Sequence, residues 1–191
     1  MFNQLFRTLM GLICAFCLSA CEQTPDPKPP LTKPIQLDKA GVKESIEFWA
    51  NPRDSHEKNE LMVGLNLNKS QQNSDFVYDL TRKIRRQEQT LPIKVTLTKI
   101  DGVHKPVFLK RAYLTPDARS EFGIQKKVPS DSVVYGHPFA GDADVEDVML
   151  ALADRTEPGF YRVEVEVMQD NPAFKEVNAD LFVAYRLYGG K

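Results

Sequence analysis

Cysteine is missing from everything after position 21: the 3 cysteines are Cys14, Cys17 and Cys21. A disulfide framework is thereby excluded for the rest of the chain, which has to be stabilised by an apolar core. Net charge is nearly missing as well, with 25 basic against 26 acidic residues. That balance removes the electrostatic argument for nucleic acid or for an anionic membrane surface. No apolar run reaches the roughly 20 residues a spanning helix needs, and the run from Leu9 to Leu18 stops at about half that length. No Gly-x-Ser-x-Gly elbow and no phosphate-cradling glycine loop occur, so the common hydrolase and nucleotide-binding signatures are lacking.

What is present begins with Arg7, the Leu9–Leu18 run and then Leu18-Ser19-Ala20-Cys21. A basic residue, an apolar segment of about ten residues and a pair of small residues form a signal peptide. The four-residue box resembles that of bacterial lipoproteins, in which the Cys thiol is diacylglycerylated and the chain is cut before it. The resemblance implies Cys21 as the acylated first residue of the mature chain, with membrane lipid as its partner. An ordinary cleaved signal peptide leaving Cys21 as a free thiol is the alternative. Two or three acyl chains anchor stably where one does not, at about 0.8 kcal/mol per buried methylene. Glu22, rather than Asp, resembles the proteobacterial pattern sorted to the outer membrane, which implies an envelope protein facing the periplasm. Loss of Arg7 on cleavage leaves 24 basic against 26 acidic residues.

From Glu22 onward Pro25, Pro27, Pro29, Pro30 and Pro34 make a segment that cannot bury apolar surface and lacks several backbone donors. Such composition gives an extended, semi-rigid spacer, reaching on the order of 40 Å over a dozen residues. The sequence therefore divides into a signal peptide (1–20), a Pro-rich tether with lipidated Cys21 (21–34) and one folded domain (35–191).

Within that domain the apolar period is mostly two. Ile35–Leu37 forms a short strand. Val42, Ile46 and Phe48 share one face of a second, and Leu61, Val63, Leu65 and Leu67 one face of a third. Residues 51–60 read as a charged loop. Ser74–Arg86 is the one helix: Ser74 is the N-cap, Asp75 lies in the first turn, and Phe76, Leu80 and Ile84 form the apolar stripe. Ile93, Val95 and Leu97 alternate with polar residues, Asp101-Gly102 supplies a tight hairpin turn, and the return strand runs to about Tyr113. Residues 115–135 read as irregular, with a helical turn near Ala118. Val148, Leu150 and Leu152 alternate with Met149, Ala151 and Ala153. Glu157–Tyr161 is a turn leading into Tyr161, Val163, Val165 and Val167. The last strand points Ala179, Leu181, Val183, Tyr185 and Leu187 inward.

About seven or eight short strands with one short helix predict a mainly β chain, an antiparallel β-sandwich of immunoglobulin-like type. Pro158-Gly159-Phe160-Tyr161 ahead of a Val strand resembles the corner of such sandwiches, where a Tyr hydroxyl caps a backbone carbonyl. Plain core packing of Tyr161 is the alternative. The signal box, the Pro-rich tether, the 34–41 segment PIQLDKAG, the 157–166 segment EPGFYRVEVE and Asn171–Phe174 together resemble an uncharacterised domain family of Gram-negative lipoproteins. That resemblance implies the fold and the envelope location, and it lends no catalytic residue.

Candidate functional residues fall into three groups. Arg82, Lys83, Arg85 and Arg86 make a basic helix end, suited to an acidic partner or to lipid head groups, or simply facing water. Tyr135, His137 and Phe139 lie in an aromatic loop of the kind that anchors a protein partner, or else folds back onto the body. Asp142, Asp144, Glu146 and Asp147 are alternate hard oxygens of the sort Ca²⁺ accepts. They lack the glycine and the distal glutamate of an EF-hand, and a solvated acidic loop is the competing reading. His56, His104 and His137 sit in separate loops with no ligand spacing between them.

The functional expectation is a non-enzymatic envelope lipoprotein whose sandwich binds a protein partner, without a cofactor. One concrete form is an immunity protein against a toxin delivered to the periplasm. A structural or assembly lipoprotein, for instance of a secretion apparatus, is a second form, and a small-ligand or metal-binding module a third.

Overall fold

The computed structural model describes residues 27–51, 60–68, 74–114, 124–139, 145–153 and 157–186. The chain is mainly β. Among the described residues twelve strands make two antiparallel sheets: β1 (Leu31–Ile35), β2 (Lys43–Ala50), β3 (Glu60–Asn68), β4 (Pro92–Lys99), β5 (Lys105–Pro106), β6 (Leu109–Tyr113), β7 (Ile124–Val128), β8 (Ser132–Tyr135), β9 (His137–Phe139), β10 (Val145–Ala153), β11 (Gly159–Val167) and β12 (Ala179–Arg186). Among the described residues one helix, α1 (Ser74–Arg85), follows β3, and a single 3-10 turn, Pro172–Phe174, precedes β12. The first sheet runs β1-β12-β3-β10-β6-β7, with β9 also along β10; the second runs β2-β11-β4-β5, with β8 also along β4.

The two sheets face each other as a sandwich because their alternating apolar residues turn to one interior. Leu61, Val63, Leu65 and Leu67 of β3 and Val163, Val165 and Val167 of β11 are essentially sealed from solvent, as are Ile93, Val95 and Leu97 of β4. Full burial of each such side chain stabilises the fold by about 1.5–3 kcal/mol. Phe48 of β2 stacks on Tyr161, its cross-strand neighbour on β11, with ring centroids 5.9 Å apart. Tyr161 also makes the corner: its hydroxyl donates to the carbonyl oxygen of Glu157 at 2.8 Å.

The strand number exceeds the seven or eight expected because the return strand after β4 splits between sheets and because 124–139, expected as irregular chain and an aromatic loop, forms β7, β8 and β9. The return strand after β4 does not continue to Tyr113 in one sheet. Lys105–Pro106 stays beside β4, and Leu109–Tyr113 has crossed to pair with β10 and β7. The connection from Ile100 to His104 is also longer than a two-residue turn, with Gly102 at φ 76°. The same happens in 132–139: β8 pairs with β4 and β9 pairs with β10, with Gly136 at the crossover. A Cβ built on Gly136 would lie 2.5 Å from Cγ1 of Val148, so only glycine lets the chain pass there.

Three further expectations change. Residues 124–135 are strands and a turn rather than irregular chain; Gln125, Lys126 and Lys127 give the edge strand β7 a loop-like composition, a common guard against edge-to-edge pairing. Ala118 lies outside the described residues. In β10 the register shifts between Met149 and Ala151. This bulge turns Ala151 and Ala153 into the main core and sends Leu152 outward with Met149. There Met62, Met149, Leu152 and Phe182 form a second apolar cluster, so β3 is buried on both faces. Finally, β1 begins at Leu31, pairing with Val183 of β12, and the N–H of Trp49 donates to the Pro27 carbonyl at 2.7 Å. Residues 27–34, expected as spacer, are thus bound to the body; Pro34 is tolerated on an edge strand, where a missing N–H costs least.

The strands give the sandwich two ends. At one lie Pro27, Leu31, Trp49, the Ile100–His104 connection, Gly159 and the Tyr161 corner. At the other lie Ile35, Lys43, Val167, Ala179 and the helix, which bridges from Asn68 of the first sheet to Pro92 of the second.

Candidate functional site

Val77, Leu80, Thr81 and Ile84 are the buried residues of α1 and join the main core. Their i, i+3, i+4, i+7 spacing is the ordinary apolar stripe of a surface helix. Phe76 was expected in that stripe; it lies a third of a turn away and is 43% exposed, because Val77 and Thr81 take the inward positions. Thr81 is tolerated inside since its hydroxyl donates to the Tyr78 carbonyl at 2.9 Å.

The outward face of α1 is therefore aromatic as well as basic. Tyr78 is 57% exposed. Helical geometry places it on the same flank as Arg82, one turn on, and Arg85, two turns on. Asp79 sits between the cations and binds Arg82 at 2.6 Å and Lys83 at 2.8 Å. These two bonds, Lys83 first, hold the Asp79 carboxyl below its ordinary pKa. Arg85 and Arg86 are exposed, and among the described residues neither has an ion-pair partner.

The aromatic segment meets this helix end. Of the two outcomes open in the sequence, the segment folds back: Tyr135 is half-buried against the Met62–Phe182 cluster, and His137 lies opposite Met149 on β10. Phe139 pairs through its backbone with Asp147. His137 is half-buried, not a surface-loop histidine, and its pKa is pushed down, first by burial and then by the positive charge of Arg85. Two candidate groups some fifty residues apart in sequence are thus brought together at one place.

The acidic group is not. Asp142 and Asp144 lie outside the described residues. Glu146 and Asp147 belong to β10 rather than to a loop, and as neighbours on a strand they point to opposite faces. Glu146 pairs with Leu67 and is buried, whereas Asp147 pairs with Asn66 on the outer face. Among the described residues no three His, Cys, Asp or Glu side chains converge as metal ligands. His104 is exposed in the β4–β5 connection; His56 and Cys21 lie outside the described residues.

The exposed Phe76 and Tyr78 were missed as site residues, although the 77, 80, 81, 84 spacing would have found them. A groove was missed altogether. Its volume is about 620 Å³ and it lies between the edges of β1 and β2, with Glu44, Lys175 and Asp180 among its lining. No signal in the sequence marks it, since its walls come from four separated segments.

A comparison with known protein families gives no match, and neither does a comparison with curated proteins. The fold itself is similar to that of a Sulfurospirillum deleyianum protein known from its crystal structure. The two are 13% identical, the similarity covers 84% of this chain and 99% of that one, and the TM-score is 0.51. At that identity the likeness shows the fold alone.

Proposed function

We propose that the chain is an envelope lipoprotein, anchored through acylated Cys21, whose sandwich binds an acidic protein partner on the outward face of α1. The observation that carries this is the exposure of Tyr78 beside Arg85 and Arg86 on a helix whose opposite face is locked into the core. Tyrosine and arginine on a rigid scaffold are the residue types that dominate protein interfaces. The flanking Asp79 holds Arg82 and Lys83 in place. Arg85 and Arg86 are left to meet carboxylates of the partner.

The signal-peptide pattern and the lipoprotein box support the anchor, and the resemblance to a Gram-negative lipoprotein domain family fits it, with the outer membrane as the site and the periplasm as the space faced. Neutralising a toxin that arrives in the periplasm is one role for such a surface; assembling an envelope apparatus is another. The groove of about 620 Å³ falls within the size range of small-ligand sites and favours, as a second reading, a ligand-binding module.

The test is affinity capture from solubilised envelopes with the wild-type protein and with Arg85→Glu/Arg86→Glu. The reading expects an acidic protein held by the wild type and released by the charge reversal. Capture that is equal for both proteins contradicts it.

A further inference from the structure

We propose that the protein stands on the lipid surface by the end of the sandwich that carries Pro27, Trp49 and the β4–β5 connection, and presents the helix end outward. This rests on the anchoring through Cys21 proposed above. Pro27 is fixed to the body by the bond from the Trp49 N–H, so the leash from the anchor to that point is six residue steps long, Cys21 to Pro27. Fully extended, at up to about 3.6 Å per residue, it spans at most roughly 22 Å.

The body is longer than that. The nine residues of β11, at about 3.3 Å each, give the sandwich a long axis of roughly 30 Å. An inverted arrangement, helix end on the lipid, would lift Pro27 about 30 Å above the surface, beyond the reach of the leash. Only upright and sideways arrangements fit.

The surface chemistry selects the upright one. At the Pro27 end the β4–β5 connection, Ile100–His104, projects with Val103 76% exposed, an apolar side chain at a loop tip. On the same end Trp49 packs edge-on against Phe160 with ring centroids 5.1 Å apart. A protruding aliphatic residue suits the boundary between head groups and acyl chains, and Trp49, half-buried with its indole N–H sealed from solvent, lies beside it. Lys99 at this end is bound to Glu157 at 3.3 Å. The far end carries α1, whose exposed Arg85 and Arg86 then face a partner arriving from the aqueous side.

The protein contains one tryptophan, and it lies at the end proposed to meet the lipid. Full-length protein isolated from membranes is reconstituted into phosphatidylethanolamine vesicles whose lipids carry bromine near the head group. Trp49 emission is compared with that of Trp49→Phe/Lys175→Trp, which moves the probe to the helix end, and mass spectrometry of the same sample reads the acylation of Cys21. With acylated protein, the expectation is that Trp49 is quenched about twofold while the probe at 175 is not. Equal quenching of both probes, or none of Trp49, on acylated protein overturns the orientation and leaves the anchor standing. Absence of acyl chains on Cys21 overturns both. If Trp49→Phe does not fold, Lys175→Trp alone carries the comparison: its added emission must survive in brominated vesicles, and loss of that emission overturns the proposal.

Discussion

The hydroxyl of Tyr161 donates to the carbonyl oxygen of Glu157, four residues earlier, at 2.8 Å. This bond closes the turn that leads into β11. Burial comes first, and the nearby Glu157 and Asp101 carboxylates add to it, in pushing the Tyr161 pKa up to about 12. A tyrosine raised above its usual 10 keeps its proton in the folded state after the unfolded state has lost it. Its contribution is therefore complete below about pH 10 and is lost as pH rises through 12. Absorbance titration near 295 nm should show a late-ionising tyrosine that is absent in Tyr161→Phe. That variant should be less stable by about 1 kcal/mol in urea unfolding.

Gly64 is required by what lies over it. A Cβ there would be 2.5 Å from Cζ of Phe182 and 2.9 Å from the carbonyl oxygen of Val148. The ring can swing aside, but the carbonyl belongs to the ladder and cannot. Gly64→Val should therefore cost about 1–3 kcal/mol of stability. Pairing it with Phe182→Ala should restore little, and denaturant melts of the single and double variants read the difference.

His137 supplies a pH dependence of the opposite sign to that of Tyr161. Its pKa in the folded protein lies below the usual 6.5, so on acidification the unfolded state takes up the proton first. Stability is thus full above pH 6.5 and falls as pH drops through that value toward the folded-state pKa. Thermal melts between pH 7.5 and 5 should show this slope, and His137→Asn should flatten it. An unchanged slope in the variant would assign the loss to other groups.

The outward face of α1 should be dispensable for folding. Tyr78→Ala together with Arg85→Ala should leave the denaturation midpoint within the equivalent of about 0.5 kcal/mol, since neither side chain contributes to the core. The same pair should abolish capture of the partner. Loss of both folding and capture would count against a surface role.

Much of the sandwich was legible because its interior strands obey a strict period of two: β3, β4 and β11 each turn their alternate Leu, Ile and Val residues inward as their sequences suggest. The failures have local physical causes. The bulge at Leu150 reverses the alternation of β10, which no period analysis detects without knowing the partner strand. The crossover near Val107 divides what looks like a single return strand, and the one at Gly136 runs through what reads as a loop, because sheet membership is decided by distant partners. In the helix, choosing Phe76 over Thr81 followed hydrophobicity where spacing carried the better signal. The meeting of Arg85 with His137 depends on β9 pairing with β10, a contact that no local pattern encodes.

The most direct test of the partner-binding account places a photocrosslinking benzoylphenylalanine at position 78 and, separately, at position 103 in cells. The account predicts that illumination joins the chain to a defined acidic protein from position 78, that Arg85→Glu/Arg86→Glu removes this product, and that position 103 yields no protein adduct. Absence of any protein adduct at 78, or the same adduct from both positions, would contradict it.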